Sequence, residues 1–264
     1  SVLYPSLNTE FFDKTEECSI PEIPTSAEYI FTSLNRFEVK KNIKLAIEAF
    51  AYLRTLLSDD EFSKCHLVLA GGYDQLNKEN IDYFKELVDY VDFFSLPQKQ
   101  VTFLRSPSDE EKITLLRRSR AVLYTPHNEH FGIVPVESMY VGTPMLSVWS
   151  SSIFERFASS SEANAYIDKK FTFVPCLVSV YSMFTAVREG ENFCEGPKES
   201  IIHLETGLLA EQLPEAFAEC MARLVRDESL VKKLRQMGPK RVRDLFAFEA
   251  FSTRLDHLVK GEDS

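Results

Sequence analysis

The sequence has no surplus of basic charge: 30 Lys and Arg stand against 40 Asp and Glu, a formal net charge of −10. A surface of that sign repels a phosphate backbone, so nucleic acid is excluded as the expected partner. Cysteine pairs are missing too. Cys18, Cys65, Cys176, Cys194 and Cys220 are odd in number and never stand in a C-x-x-C pair. Neither a disulfide framework nor a zinc site is indicated, and a reducing, cytosol-facing compartment is expected. No apolar run has the roughly 20 residues of a spanning helix. The one segment of interest, Phe171 to Val187, is shorter and is broken by Pro175, which suits buried or interfacial structure better. The first residues, Ser1-Val2-Leu3-Tyr4-Pro5, show neither an initiator Met nor a basic region ahead of an apolar one. The chain is read as an internal piece of a longer protein.

What is present is enough apolar residue, 44% of 264, to bury the core of one large domain or two small ones. Residues 1–27 hold prolines and charges without a sustained period and read as an extended lead-in or interdomain linker. From Glu28 onward, short apolar runs alternate with helical patterns. Tyr29 to Leu34, His66 to Ala70, Val101 to Leu104, Ala121 to Thr125 and Met145 to Val148 are expected to be buried strands. Between them, Ile43, Ile47, Phe50 and Leu53, and then Ile81, Phe84, Leu87, Val88 and Val91, recur at helical spacing. Ser108 with Glu111 forms a capping-box signature ahead of Ile113, Leu115 and Leu116. Strictly alternating strands and helices predict an α/β fold with a doubly wound, mostly parallel, Rossmann-like sheet. The alternation fails over 150–195 and resumes near Glu205. Phe217, Met221, Leu224 and Val225 mark one further amphipathic helix, and Phe248, Phe251, Leu255, Leu258 and Val259 mark a last one. The predicted domain is therefore 28–149 with 196–264, and 150–195 is an insert.

Ligands of such sheets sit at the carboxyl ends of the strands, which singles out three loops. After the fourth strand, Glu129 and Glu137 stand eight positions apart across the start of a helix. A carboxylate on the loop can accept hydrogen bonds from sugar hydroxyls, and one inside the helix can accept both ribose hydroxyls. Between them the amides of Gly132, Ile133 and Val134 point outward at a helix N-terminus, where anions are favoured. After the first strand, Arg36 offers a planar fork and Lys41 a point charge, the complement of a diphosphate. After the second, Gly71-Gly72 permits close approach of a ligand to the backbone. Taken singly, each feature is ordinary surface or turn chemistry; their convergence on one sheet edge raises them above it. His127-x-x-His130 invites a metal reading, but Pro126 places the pair in a loop and no third ligand stands nearby, so no metal site is expected.

Glu129-x7-Glu137, followed by Ser-Met-Tyr-Val-Gly-Thr-Pro-Met-Leu, together with Arg36-x4-Lys41, resembles the donor-binding half of glycosyltransferase family 4. Members of that family share the two-domain GT-B fold. The resemblance covers about residues 1–150 and 196–260, and implies that the chain is the C-terminal half of a GT-B glycosyltransferase. Within the family, Ser33 to Phe50 and Asn128 to Met145 are most similar to mannosyltransferases of the dolichol pathway. The resemblance implies GDP-mannose as donor, a lipid-linked oligosaccharide as acceptor, retention at the anomeric carbon and no metal or other cofactor. By position, Arg36 and Lys41 would hold the diphosphate and stabilise the departing GDP, and Glu129 would contact the mannose. Phe131, Gly132, Ile133 and Val134 would line the donor, and Glu137 would bind the ribose. It further implies the cytoplasmic face of the endoplasmic reticulum membrane, membrane association of the full-length protein and other mannosyltransferases of the pathway as partners. The sequence departs from the family at Glu195-Gly196-Pro197-Lys198-Glu199, where Glu195 replaces the first glycine of a Gly-Gly-Pro-x-Glu segment and 150–195 stands before it. A transferase using another nucleotide sugar and a non-catalytic scaffold fragment remain the alternatives.

Overall fold

Short runs of branched apolar residues form the strands, as their burial on both faces requires. In the computed structural model, which describes residues 6–126, 132–148 and 200–260, these are β1 (Tyr29–Leu34), β2 (Cys65–Gly71), β3 (Val101–Arg105), β4 (Ala121–Tyr124) and β5 (Met145–Val148). The five expected strands all form, with ends shifted by a residue at most. A sixth, β6 (Leu208–Ala210), was not foreseen; three residues carry no period. The sheet runs β3-β2-β1-β4-β5-β6, and every pairing is parallel. Strand order therefore reverses between β1 and β4, the point at which helices leave to opposite faces and open a crevice.

Alternate strand residues divide the core in two. Phe31, Leu67, Leu69, Leu123 and Leu146 face α2 (Ile43–Leu56), α4 (Lys78–Phe93) and α7 (Pro214–Arg226). The short α3 (Asp59–Ser63) closes the edge of that layer with Phe62. Val68, Ala70, Val122, Tyr124 and Met145 face α5 (Asp109–Arg118) and α6 (Ile133–Tyr140). The next helix, α8 (Glu228–Phe246), serves both layers, with Leu230, Val231 and Leu234 in the first and Val242 and Phe246 in the second. Fully buried side chains such as Phe50 and Leu53 are each worth roughly 1.5–3 kcal/mol relative to exposure. The capping box at α5 forms as its sequence predicts, with Glu111 N–H donating to Ser108 Oγ at 3.2 Å and Ser108 N–H donating to Glu111 Oε2 at 2.7 Å.

Two expectations are corrected. The lead-in is not uniformly extended: it contains α1 (Thr9–Lys14), capped by Asn8 Oδ1, which accepts from Phe11 N–H. Leu7, Phe12, Ile20 and Ile23 from this stretch enter the second core layer, so contacts that no local period encodes hold it. The apolar stripe of the last helix, α9 (Phe248–Lys260), buries none of its residues in this chain. Residues 150–195 and the Glu195 to Glu199 segment lie outside the described residues. Among the described residues, no helix is long and apolar enough to cross a membrane.

Candidate functional site

The loop after β1 is shaped by packing rather than by chance. Asn35 continues the strand's pairing, its N–H donating to Ala70 O at 2.9 Å, and the chain then turns through a 3₁₀ segment, Val39–Lys41, into α2. Asn42 makes that turn with φ 47°, a left-handed conformation that asparagine tolerates better than most residues. Tyr83 Oη accepts from Ile43 N–H at 3.1 Å and so pins the first turn of α2. Burial pushes this phenol up to about 12, so the pin stays neutral. Arg36 reaches outward, its side chain 66% exposed, and its Nη1 lies 3.3 Å from Glu38 Oε1; Lys40 Nζ lies 3.0 Å from the other oxygen of the same carboxylate. Glu38, a bridge between two cations of the loop, was not anticipated, because its partners are set by a tight turn rather than by helical spacing. Thr125 Oγ1, just beyond β4, donates to Lys41 O at 2.8 Å. That bond ties the β1 loop to the β4 loop across the strand-order reversal.

The glycines after β2 also serve the packing of the chain against itself. A Cβ on Gly71, whose φ is +148°, would lie 2.0 Å from Asn35 O, and one on Gly72 would lie 3.2 Å from Arg36 Cγ. The backbone that approaches closely here is the chain's own. Gly71 thus lets β1 end against β2 and sets where Arg36 begins, a positioning role within the edge.

After β4, Gly132 is buried against the Tyr124 ring: a Cβ there would lie 2.2 Å from the hydroxyl oxygen. It is the N-cap of α6 and offers no side-chain cap to the first turn. Ile133 and Val134 follow as the first two helical residues, Ile133 being 41% exposed, and Pro135 takes the third position, where a helix needs no amide donor. Their amides therefore face the crevice end of a helix, where the backbone dipole favours an anion. Glu137 follows on the same helix, 9% exposed, with Lys112 Nζ at 2.9 Å from its Oε1. Glu129 and Phe131 lie outside the described residues, as do His127 and His130. Of the predicted site, then, Arg36, Lys41, Gly71, Gly72, Gly132, Ile133, Val134 and Glu137 all fall at the carboxyl edge around the β1/β4 reversal. Lys112 and Glu38 join them unpredicted.

Fold and edge together define a doubly wound α/β domain whose candidate site lies at the carboxyl ends of its strands, where ligands of such sheets bind. The chain belongs to the family described as "Glycosyl transferases group 1", whose sequence profile matches residues 16–168. It is 38% identical over 263 residues to the protein named "Alpha-1,3/1,6-mannosyltransferase ALG2" from Mus musculus, covering 98% of this chain and 52% of that protein. The chain thus spans about half the length of this curated relative. Among solved structures, it is similar to Anabaena Alr3699/HepE in complex with UDP and glucose, with TM-score 0.67 and 15% identity, covering 99% of this chain and 57% of that one. It is also similar to the C-terminal domain of the glycosyl transferase group 1 protein LpcC from Francisella tularensis, with TM-score 0.56 and 20% identity. That match covers 94% of this chain and 97% of the other, so the GT-B half-molecule expected from the sequence is the fold observed.

Proposed function

We propose that this chain is the donor-binding half of a retaining mannosyltransferase that takes mannose from GDP-mannose and delivers it to a lipid-linked oligosaccharide. The observation that carries the reading is the convergence of Arg36, Lys41, the α6 amides and Glu137 at the β1/β4 reversal, in a chain 38% identical to a mannosyltransferase. In this reading Glu137 accepts the ribose hydroxyls, and Arg36 and Lys41 meet the diphosphate. As the bond from the anomeric carbon to the phosphate oxygen breaks, negative charge grows on the departing GDP. Two cations and two helix amides at that edge would stabilise the transition state more than the ground state, and the reading assigns that charge neutralisation to these groups rather than to a metal. Glu129 is assigned to the mannose. The acceptor, partner mannosyltransferases and a place on the cytoplasmic face of the endoplasmic reticulum membrane are proposed for the longer protein, on the strength of the relative's name and the family resemblance.

A thermal-shift panel tests the donor. A ligand that binds only the native state stabilises it by about 2.7 kcal/mol at one hundred times its dissociation constant. GDP and GDP-mannose are expected to raise the melting temperature, and UDP and UDP-glucose to leave it unmoved. A shift with the uridine ligands alone would assign the site to another nucleotide sugar.

A further inference from the structure

On the reading that Glu137 receives the ribose, we propose that Lys112 is a positioning residue of the donor site. It holds one oxygen of the Glu137 carboxylate so that the other is presented to the sugar hydroxyls. Lys112 is the fourth residue of α5, which starts just beyond the carboxyl end of β3, and Glu137 is the fifth of α6, which starts just beyond β4. The two helices thus bring a cation and a carboxylate to the same edge, with Nζ 2.9 Å from Oε1. The side chains are 24% and 12% exposed, so the pair is largely withdrawn from water, unlike the solvent-exposed pairs that hold little geometry.

With the helix held, the Glu137 side-chain torsions decide where the carboxylate points, and Lys112 restrains them through Oε1. The backbone of α6 is anchored independently, because Tyr140 Oη lies 2.9 Å from both carboxylate oxygens of Asp13. What remains is the Glu137 rotamer. Oε1 is fixed by the ammonium, and among the described residues Oε2 has no hydrogen-bond partner. That oxygen is therefore open to a hydroxyl donor from a ligand. Lys112 is itself placed over the Phe12 ring, at 5.9 Å from Nζ to the ring centroid, so the lead-in steadies the cation that steadies the carboxylate. Preorganisation of this kind raises affinity by removing the ordering cost from the binding step.

The test compares ligands with and without the ribose diol. Dissociation constants for GDP and for 2′,3′-dideoxyguanosine diphosphate are measured on the 264-residue chain, as wild type and as Lys112→Met, Lys112→Arg and Glu137→Gln. Lys112→Met is expected to weaken GDP by about ten-fold, the scale of a charge-assisted hydrogen bond, and to leave the dideoxy ligand unchanged. Lys112→Arg should restore most of the loss, and combining Lys112→Met with Glu137→Gln should weaken GDP no further than Glu137→Gln alone. If Lys112→Met loses its folded circular dichroism spectrum, Lys112→Gln carries the same comparison. Equal weakening of both ligands would make Lys112 a mere tie between helices and overturn the proposal. So would wild-type GDP affinity in Lys112→Met alongside a weakened Glu137→Gln, and in both cases the ribose reading survives. Wild-type GDP affinity in Glu137→Gln would instead remove the ribose reading, and the proposal with it.

Discussion

Arg36 and Lys41 carry the same charge but sit in different ways, and the difference bears on what each contributes. Arg36 extends from the end of β1 with its guanidinium against Glu38, whereas Lys41 closes a 3₁₀ turn whose carbonyl is held by Thr125. If both meet the diphosphate, Arg36→Ala and Lys41→Ala should each weaken GDP by about ten-fold while leaving guanosine unaffected, since guanosine has no phosphate for either cation to grip. Calorimetric titration with both ligands checks this; equal losses would mean that the two residues act through folding. These residues were legible because residue type and nearness to a strand end coincide in one stretch of sequence. Lys112 was not, since its partner Glu137 lies 25 positions away on another helix, and only the packing of α5 beside α6 brings them together. Glu129 and Phe131 rest on the sequence alone.

At the scale of elements, a buried histidine fastens the lead-in to the sheet. His66 on β2 is 2% exposed. Its Nε2 lies 2.8 Å from Thr102 Oγ1 on β3, and Thr102 donates in turn to Glu22 O at 3.0 Å. With its proton given to the carbonyl, the hydroxyl accepts from the ring, which places a proton on Nε2. Burial pushes the imidazole down from 6.5 to about 4. A folded-state value below the unfolded one means that the unfolded chain binds the extra proton first. The stabilisation is complete above pH 6.5 and is lost as pH falls toward 4, by about 1–3 kcal/mol. Urea unfolding at both ends of that window should show a smaller acid loss in His66→Gln than in the wild type; parallel losses would contradict it. The helices α2, α5 and α7 and five strands were legible because their apolar periods are long or unbroken. In α4 the period was legible and its phase only in part: the expected Leu87 and Val91 are buried, Tyr83 beside them was not foreseen, and Ile81, Phe84 and Val88 are only half-buried. The lead-in helix and β6 were missed because they are short, and their places are decided by tertiary contacts.

For the molecule as a whole, one sheet with a single reversal of strand order organises every described residue assigned to the donor. The net charge of −10 does not oppose an anionic ligand, because the field that matters is that of the edge bearing Arg36, Lys40, Lys41 and Lys112. The chain spans about half the length of the mouse relative, and the apolar stripe of α9 is uncovered among the described residues. The central claim is a location, so the most direct measurement is the position of the nucleotide in a crystal of this chain grown with GDP. The account predicts the ribose diol on Glu137 Oε2, with the diphosphate between Arg36, Lys41 and the amides of Ile133 and Val134. Density for the nucleotide at any other edge of the sheet, or none at saturating GDP, would contradict it.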